Sequence, residues 1–200
     1  MPAVEVADIK QLRRALAKYA PDLYKSMNTE IRGALKDLQK KSRALVPETL
    51  GAGLRNFNDD GLTHKGRVKK RAFPRYSGAE VKKGIVIRIG ATKRNSNGFV
   101  SYYSLINRSH AGQIVEWAGR TSGTGGSPKS KSNNPKAGAH FINVLDHEIG
   151  SVEKYGKSRQ MSGRIIFRAA VEDKGKTRDA ILHALAKART EFVATLRKAA

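Results

Sequence analysis

The chain contains no cysteine, which excludes disulfide scaffolds, thiolate-bound zinc and cysteine nucleophiles together. It also lacks any apolar run near the roughly 20 residues that span a bilayer. The opening residues, MPAVEVADIK, hold no secretory apolar segment. The expectation is a soluble chain, not secreted by that route and without membrane contact. Acidic side chains are scarce: 17 Asp and Glu stand against 39 Lys and Arg, a formal net charge of +22. Tryptophan occurs once, so any indole signal reports on Trp117 alone. What is present suffices for a core: 39% of the 200 residues are apolar, more than a wholly disordered basic tail would carry. The length predicts one domain, or one domain with a projecting arm.

The positive charge is concentrated. Residues 65–94 hold eleven basic side chains opposed by Glu80 alone. Such density is costly in self-repulsion unless the segment extends into solvent or meets a polyanion or an acidic protein face. Residues from about 64 to 83 are therefore expected to project as a basic arm. Lys65, Arg67, Lys69, Lys70, Arg71 and Arg75 are its candidate contacts to a polyanion or an acidic partner. Phe73 and Tyr76 are placed to stack on bases or simply to pack. No zinc-finger, RRM or KH signature accompanies them, so sequence-specific readout has no support.

Periodicity outlines the elements. Ile9, Leu12, Leu16, Tyr19 and Leu23 recur at helical spacing, followed by Met27, Ile31, Leu35, Leu38 and Leu45. Asp8 is placed to cap the start, and Pro21 divides the run into a helix of about 8–19 and a second ending before Pro47. Ile85, Val86, Ile87 and Ile89 between glycines predict a strand. Residues 99–106 and 112–118 each read as a strand or a short buried helix. Residues 119–138, GRTSGTGGSPKSKSNNPKAG, are of low complexity and are expected to form a flexible loop. A short helix over 139–150 should bury Phe141, Val144, Leu145 and Ile149. A long one over about 176–198 should carry Ile181, Leu185, Phe192 and Leu196 on one stripe. The predicted class is α+β: long N-terminal helices, a small, mostly antiparallel sheet and a long C-terminal helix.

Catalytic patterns are missing. The glycine-rich loop fails as a phosphate cradle because Pro128, which has no N–H, stands where a Walker A pattern needs glycine. Asp146, His147 and Glu148 are contiguous, so on a helix they point about 100° apart and cannot converge on one ion. No serine lies in a G-x-S-x-G elbow. Glu116, a lone acid in an apolar run beside Trp117, reads as a buried polar anchor or a subunit contact. The expectation is a protein without catalytic residues, metal or cofactor.

Three pieces, taken in order, resemble the tail-completion or head–tail joining proteins of the neck of long-tailed bacteriophages. The first is SRALVPETLGAGLRN, a helix leading into a turn with Pro47, Thr49, Gly51 or Gly53, Leu54 and Arg55. The second is Tyr102-Tyr103 followed by Ile114-Val115-Glu116-Trp117, with Ala118 ahead of Gly119. The third is Phe167-Arg168-Ala169-Ala170, opening into the C-terminal helix. Members of that family are shorter, and the basic arm and the 119–138 loop stand as insertions. The resemblance implies a virion protein, assembled in the host cytoplasm, that forms a ring of six subunits at the head–tail junction. Its partners would be copies of itself, other neck, portal-adaptor and tail-tube proteins, and the genomic DNA in the channel. Tail completion, tail terminator and another connector ring all fit. Glu116, Trp117 and Phe167 would then lie at a core or subunit junction. Six copies at +22 each would carry +132, which needs DNA or acidic neighbours to limit repulsion. The alternative is a non-specific nucleic-acid-binding basic protein of ribosomal or chromatin-like type.

Overall fold

The computed structural model describes residues 6–51, 54, 57, 63–64, 67–68, 75–94, 100–119, 136–150 and 163–199, with the backbone alone at 6–8, 63–64, 67–68 and 199. Among these residues there are seven helices: α1 Val6–Tyr19, α2 Pro21–Ala44, α3 Gly78–Gly84, α4 His110–Trp117, α5 Ala137–Ile149, α6 Ile166–Glu172 and α7 Lys176–Ala199. The strands are β1 Thr63–His64, β2 Arg67–Val68, β3 Ile85–Ile89 and β4 Tyr103–Asn107. β1 and β2 pair antiparallel, with Thr63 opposite Val68 and His64 opposite Arg67. β3 and β4 form a second two-stranded sheet. It is antiparallel, flanked by the bonds from Gly90 N–H to the Tyr102 carbonyl (2.8 Å) and from Arg108 N–H to the Gly84 carbonyl (2.9 Å). The class is α+β, as the residue pattern predicts.

The chain forms two compact units, one of Met1–Leu38, Ile89–Tyr103 and Asp173–Ala200, the other of Gln39–Arg88 and Ser104–Glu172. In the first, Leu16, Met27, Ile31, Leu35 and Leu38 are buried, as are Ala184, Leu185 and Ala188 of α7. An ion pair from Lys187 to Glu30 (2.7 Å) joins α7 to α2. Pro21 takes the first position of α2, where its missing N–H costs nothing. Three expectations change here. α1 begins at Val6, so Asp8 lies within its first turn and does not cap it. Tyr19 and Leu196, expected on buried stripes, are 64% and 51% exposed. Tyr19 is the last residue of α1, and every residue from 193 to 198 is exposed, so both sit where their helices have run past their packing partners.

In the second unit Val46, Leu50, Leu54, Phe57, Tyr76, Val81, Ile85, Ala111, Val115, Leu145, Ile149 and Ile165 form one core. Each large side chain in it is worth about 1.5–3 kcal/mol of burial. The stretch expected to project is folded over its last third: Tyr76, Gly78 and Val81 are buried. Ser77 caps α3 by accepting from the Glu80 amide (3.4 Å), and the Tyr76 hydroxyl donates to the Pro47 carbonyl (2.6 Å). Val81 and Ile85, four apart, then face the core while Lys82 pairs with Glu48. Residues 112–118 resolve as helix α4, because Ser109 caps it through the Gly112 amide (3.2 Å) and Ala111 and Val115 recur at helical spacing. Residues 99–106 resolve in part as strand β4. No helix among the described residues is long and apolar enough to cross a membrane.

Candidate functional site

The second unit brings α4, α5 and α6 together at one joint, and the joint is built on a helix start that cannot cap itself. α6 begins at Ile166, and the residue before it, Ile165, is fully buried and has no side-chain oxygen. The first amides of a helix have no partner within it, and Ser, Thr, Asp or Asn usually supplies one. Here Glu116 supplies it from α4. One carboxylate oxygen accepts from the amides of Ile165 (2.7 Å) and Ile166 (3.2 Å), and the other accepts from Phe167 (3.1 Å). Glu116 is 3% exposed. Its approach needs Gly163, where a β-carbon would lie 2.1 Å from a Glu116 carboxylate oxygen.

Arg164 fixes the other side. It is fully buried, donates to the Asp146 carboxylate of α5 (2.8 Å) and to the Val115 carbonyl of α4 (2.9 Å). Arg168, one turn into α6, donates to the Ile149 carbonyl at the end of α5 and pairs with Glu172 (2.8 Å). Ala169 is fully buried. Each polar side chain in the joint therefore closes the end of a different helix or ties two of them.

Burial pushes the Glu116 carboxyl above its ordinary value of 4.5, against the lowering pull of the Phe167, Ile165 and Ile166 amides and of Arg164. Between 4.5 and the raised value, the folded protein holds a proton that the unfolded chain has released. Stability must then fall as pH rises across that window, the stabilisation being complete below it. Glu116→Gln cannot titrate, so its urea unfolding free energy should run flatter than the parent's over the same interval. Parallel curves would assign the pH dependence to other groups.

Above the buried carboxylate lies an exposed aromatic pair. Trp117 and Phe167 are 48% and 43% exposed, with ring centroids 4.9 Å apart and an edge-to-face angle of 71°. Neither ring belongs to the core of the second unit. Arg75 is exposed at the start of the folded segment before α3. Lys65, Lys69, Lys70 and Arg71 lie outside the described residues, as does the side chain of Arg67 and most of the 119–138 loop. No group of three or more His, Asp or Glu that could hold a metal ion occurs among the described residues.

Arg164 is not singled out by the residue pattern, and Arg168 enters it only within the third resembling piece. Arg164 finds its partners 18 and 49 residues away, a separation that leaves no local trace. A local sign did exist for α3, the Ser77-x-x-Glu80 capping pattern. Compared with models of known protein families, with curated proteins and with solved structures, the chain matches none.

Proposed function

We propose that the protein is a structural component of a bacteriophage head–tail connector, of tail-completion or tail-terminator type. In this reading it forms a ring that joins the portal and neck to the tail tube around the DNA channel. The observation that carries the reading is the meeting in one unit of the first piece, the Ile114–Trp117 part of the second, and the third; Tyr102 and Tyr103 of the second belong to the other unit. Val46, Leu50 and Leu54 from the first share a core with Val115 from the second. Glu116 of the second holds the amide of Phe167, which opens the third. Short motifs that are weak singly gain weight when they build one joint. The exposed Trp117–Phe167 edge is the subunit contact, since aromatic side chains concentrate binding energy at interfaces. The net charge of +22 favours a second reading, a non-specific nucleic-acid-binding protein.

Light scattering, negative-stain images and Trp117 emission on the purified protein, alone and with disrupted phage particles, test the choice. The expected result is a ring, with emission that shifts to the blue as monomers assemble. Trp117→Ala with Phe167→Ala should abolish the ring, at about 2 kcal/mol or more for each aromatic side chain removed, with thermal unfolding of the monomer little changed. A monomer under every condition that binds duplex with a steep salt dependence would replace the first reading by the second.

A further inference from the structure

Arg13, in the first unit, sits among three tyrosines. Its guanidinium carbon lies 4.9 Å from the ring centroid of Tyr103, 5.3 Å from that of Tyr24 and 5.7 Å from that of Tyr102. Nη1 donates to Asn28 Oδ1 (3.3 Å) and to the Tyr103 hydroxyl, and Nη2 donates to the Tyr24 hydroxyl (2.7 Å). Among the described residues, all its hydrogen-bond partners are thus neutral oxygens. A guanidinium has five N–H groups. Three are spent, which leaves Nε–H and one N–H of the neighbouring Nη2. The Tyr24 and Tyr103 hydroxyls, having accepted from the arginine, keep their own protons to donate. Burial pushes the Tyr103 phenol up, with Arg13 pulling the other way, so it holds that proton at neutral pH.

The surrounding helix face is cationic. Lys10, Arg14 and Lys18 are exposed and stand four residues apart, which puts them on one ridge of α1 beside Arg13. No acidic residue occurs between Asp8 and Asp22. A ridge of flexible ammonium and guanidinium groups would attract any polyanion. The rigid element is Arg13, whose fork cannot swing away because three rings cover it.

We propose that this face of α1 binds the phosphate backbone of duplex DNA, with Arg13 as a pre-set clamp on one phosphate and Lys10, Arg14 and Lys18 on its neighbours. Two N–H groups and two phenolic O–H groups offer four donors, which suits the several oxygens of a phosphate better than the two of a carboxylate. The guanidinium occupies one face of each of the three rings, which leaves less ring surface for stacking on unpaired bases and so favours a duplex. Recognition of this kind is indifferent to sequence. The inference does not rest on the connector reading: a ring that does not bind DNA here and a DNA-binding chain that forms no ring are distinct outcomes.

The test is fluorescence anisotropy of a labelled random-sequence duplex titrated with the full chain over a series of salt concentrations. Lys10→Ala/Arg14→Ala/Lys18→Ala alters exposed positions and should leave helix content unchanged. It should weaken binding roughly tenfold or more and reduce the log–log salt slope by about 0.9 for each phosphate no longer neutralised. Tyr24→Phe/Tyr103→Phe keeps the rings and removes the phenols, and Arg13→Lys keeps the charge and removes the fork. Both should weaken binding several-fold at constant helix content, which a purely structural cage would not do. Wild-type affinity and slope in all three variants would overturn the proposal. So would duplex binding that disappears on replacing Lys69, Lys70, Arg71 and Arg75 but survives the α1 changes. Displacement of the duplex by polyglutamate at equal charge concentration, with the same dependence on Arg13, would assign the site to an acidic protein and overturn it too.

Discussion

Glu116→Ala is expected to cost the second unit about 3 kcal/mol or more, since each buried donor left without an acceptor costs about 1–3 kcal/mol. Domains of ordinary stability have about 5–15 kcal/mol in hand, so the variant should be largely unfolded at modest temperature. The cause is not lost volume. Alanine leaves the amides of Ile165, Ile166 and Phe167 buried at the start of α6 with no acceptor, and α6 has no capping side chain of its own. Arg164 keeps Asp146 but loses the nearby carboxylate. Glu116→Gln should cost less, about 1–3 kcal/mol, since one amide oxygen still accepts while its –NH2 faces donors. Urea denaturation followed by far-UV circular dichroism measures both. An alanine variant within about 1 kcal/mol of the parent would mean that water or another group caps α6 equally well. The ordering of the two variants matters as much as their size: a cavity effect would make Gln nearly harmless, whereas an amide-capping effect makes it intermediate.

The parts of the fold legible in the sequence were those with local causes. The α1–α2 break at Pro21, the glycine-bounded strand at 85–89 and the span of α7 all follow from periodicity and backbone chemistry within a few residues. The short apolar runs 99–106 and 112–118 were ambiguous because their periods are too short to separate a strand from a helix. Ser109 decides the second run, and it lies just outside it. Charge misled the reading of 75–83. The eleven cations in 65–94 suggested an arm, yet Tyr76, Val81 and Ile85 alternate with those cations at a spacing that lets α3 bury one side and solvate the other. Glu116 stood out as a lone acid among apolar residues, but its partners could not be named. They are backbone amides some fifty residues on, and backbone amides carry no residue-specific signature. The Arg13 cage was illegible for a related reason: besides Tyr24 and Asn28 of the neighbouring α2, it gathers Tyr102 and Tyr103 from the entry to β4, some ninety residues on.

Two substitutions that each add one methyl group should move stability in opposite directions. Gly33 lies on the exposed face of α2, and a β-carbon there would meet nothing within 4 Å. Gly33→Ala should therefore stabilise by about 0.5–1 kcal/mol through helix propensity alone. Gly78 opens α3, and its amide donates to the Glu48 carbonyl (3.2 Å). A β-carbon there would lie 2.4 Å from the Pro47 carbonyl oxygen, 2.7 Å from Glu48 Cα and 2.8 Å from the Glu48 carbonyl oxygen. All three are backbone atoms, so no rotamer change relieves the clash. Gly78→Ala should cost about 3 kcal/mol or more, the upper end for overpacking. Thermal unfolding of the two variants beside the parent tests both signs at once. The consequence reaches the joint, because the Pro47–Glu48 turn that α3 grips leads directly to Leu50 and Leu54, which share the core with Val115 and Ile165. If that turn is pushed off α3, α4 and α6 lose part of the core that holds Glu116 against its amides. The Gly78 variant should then fail to assemble although Trp117 and Phe167 are intact. A stable, ring-forming Gly78→Ala protein would show that the first resembling piece does not support the other two.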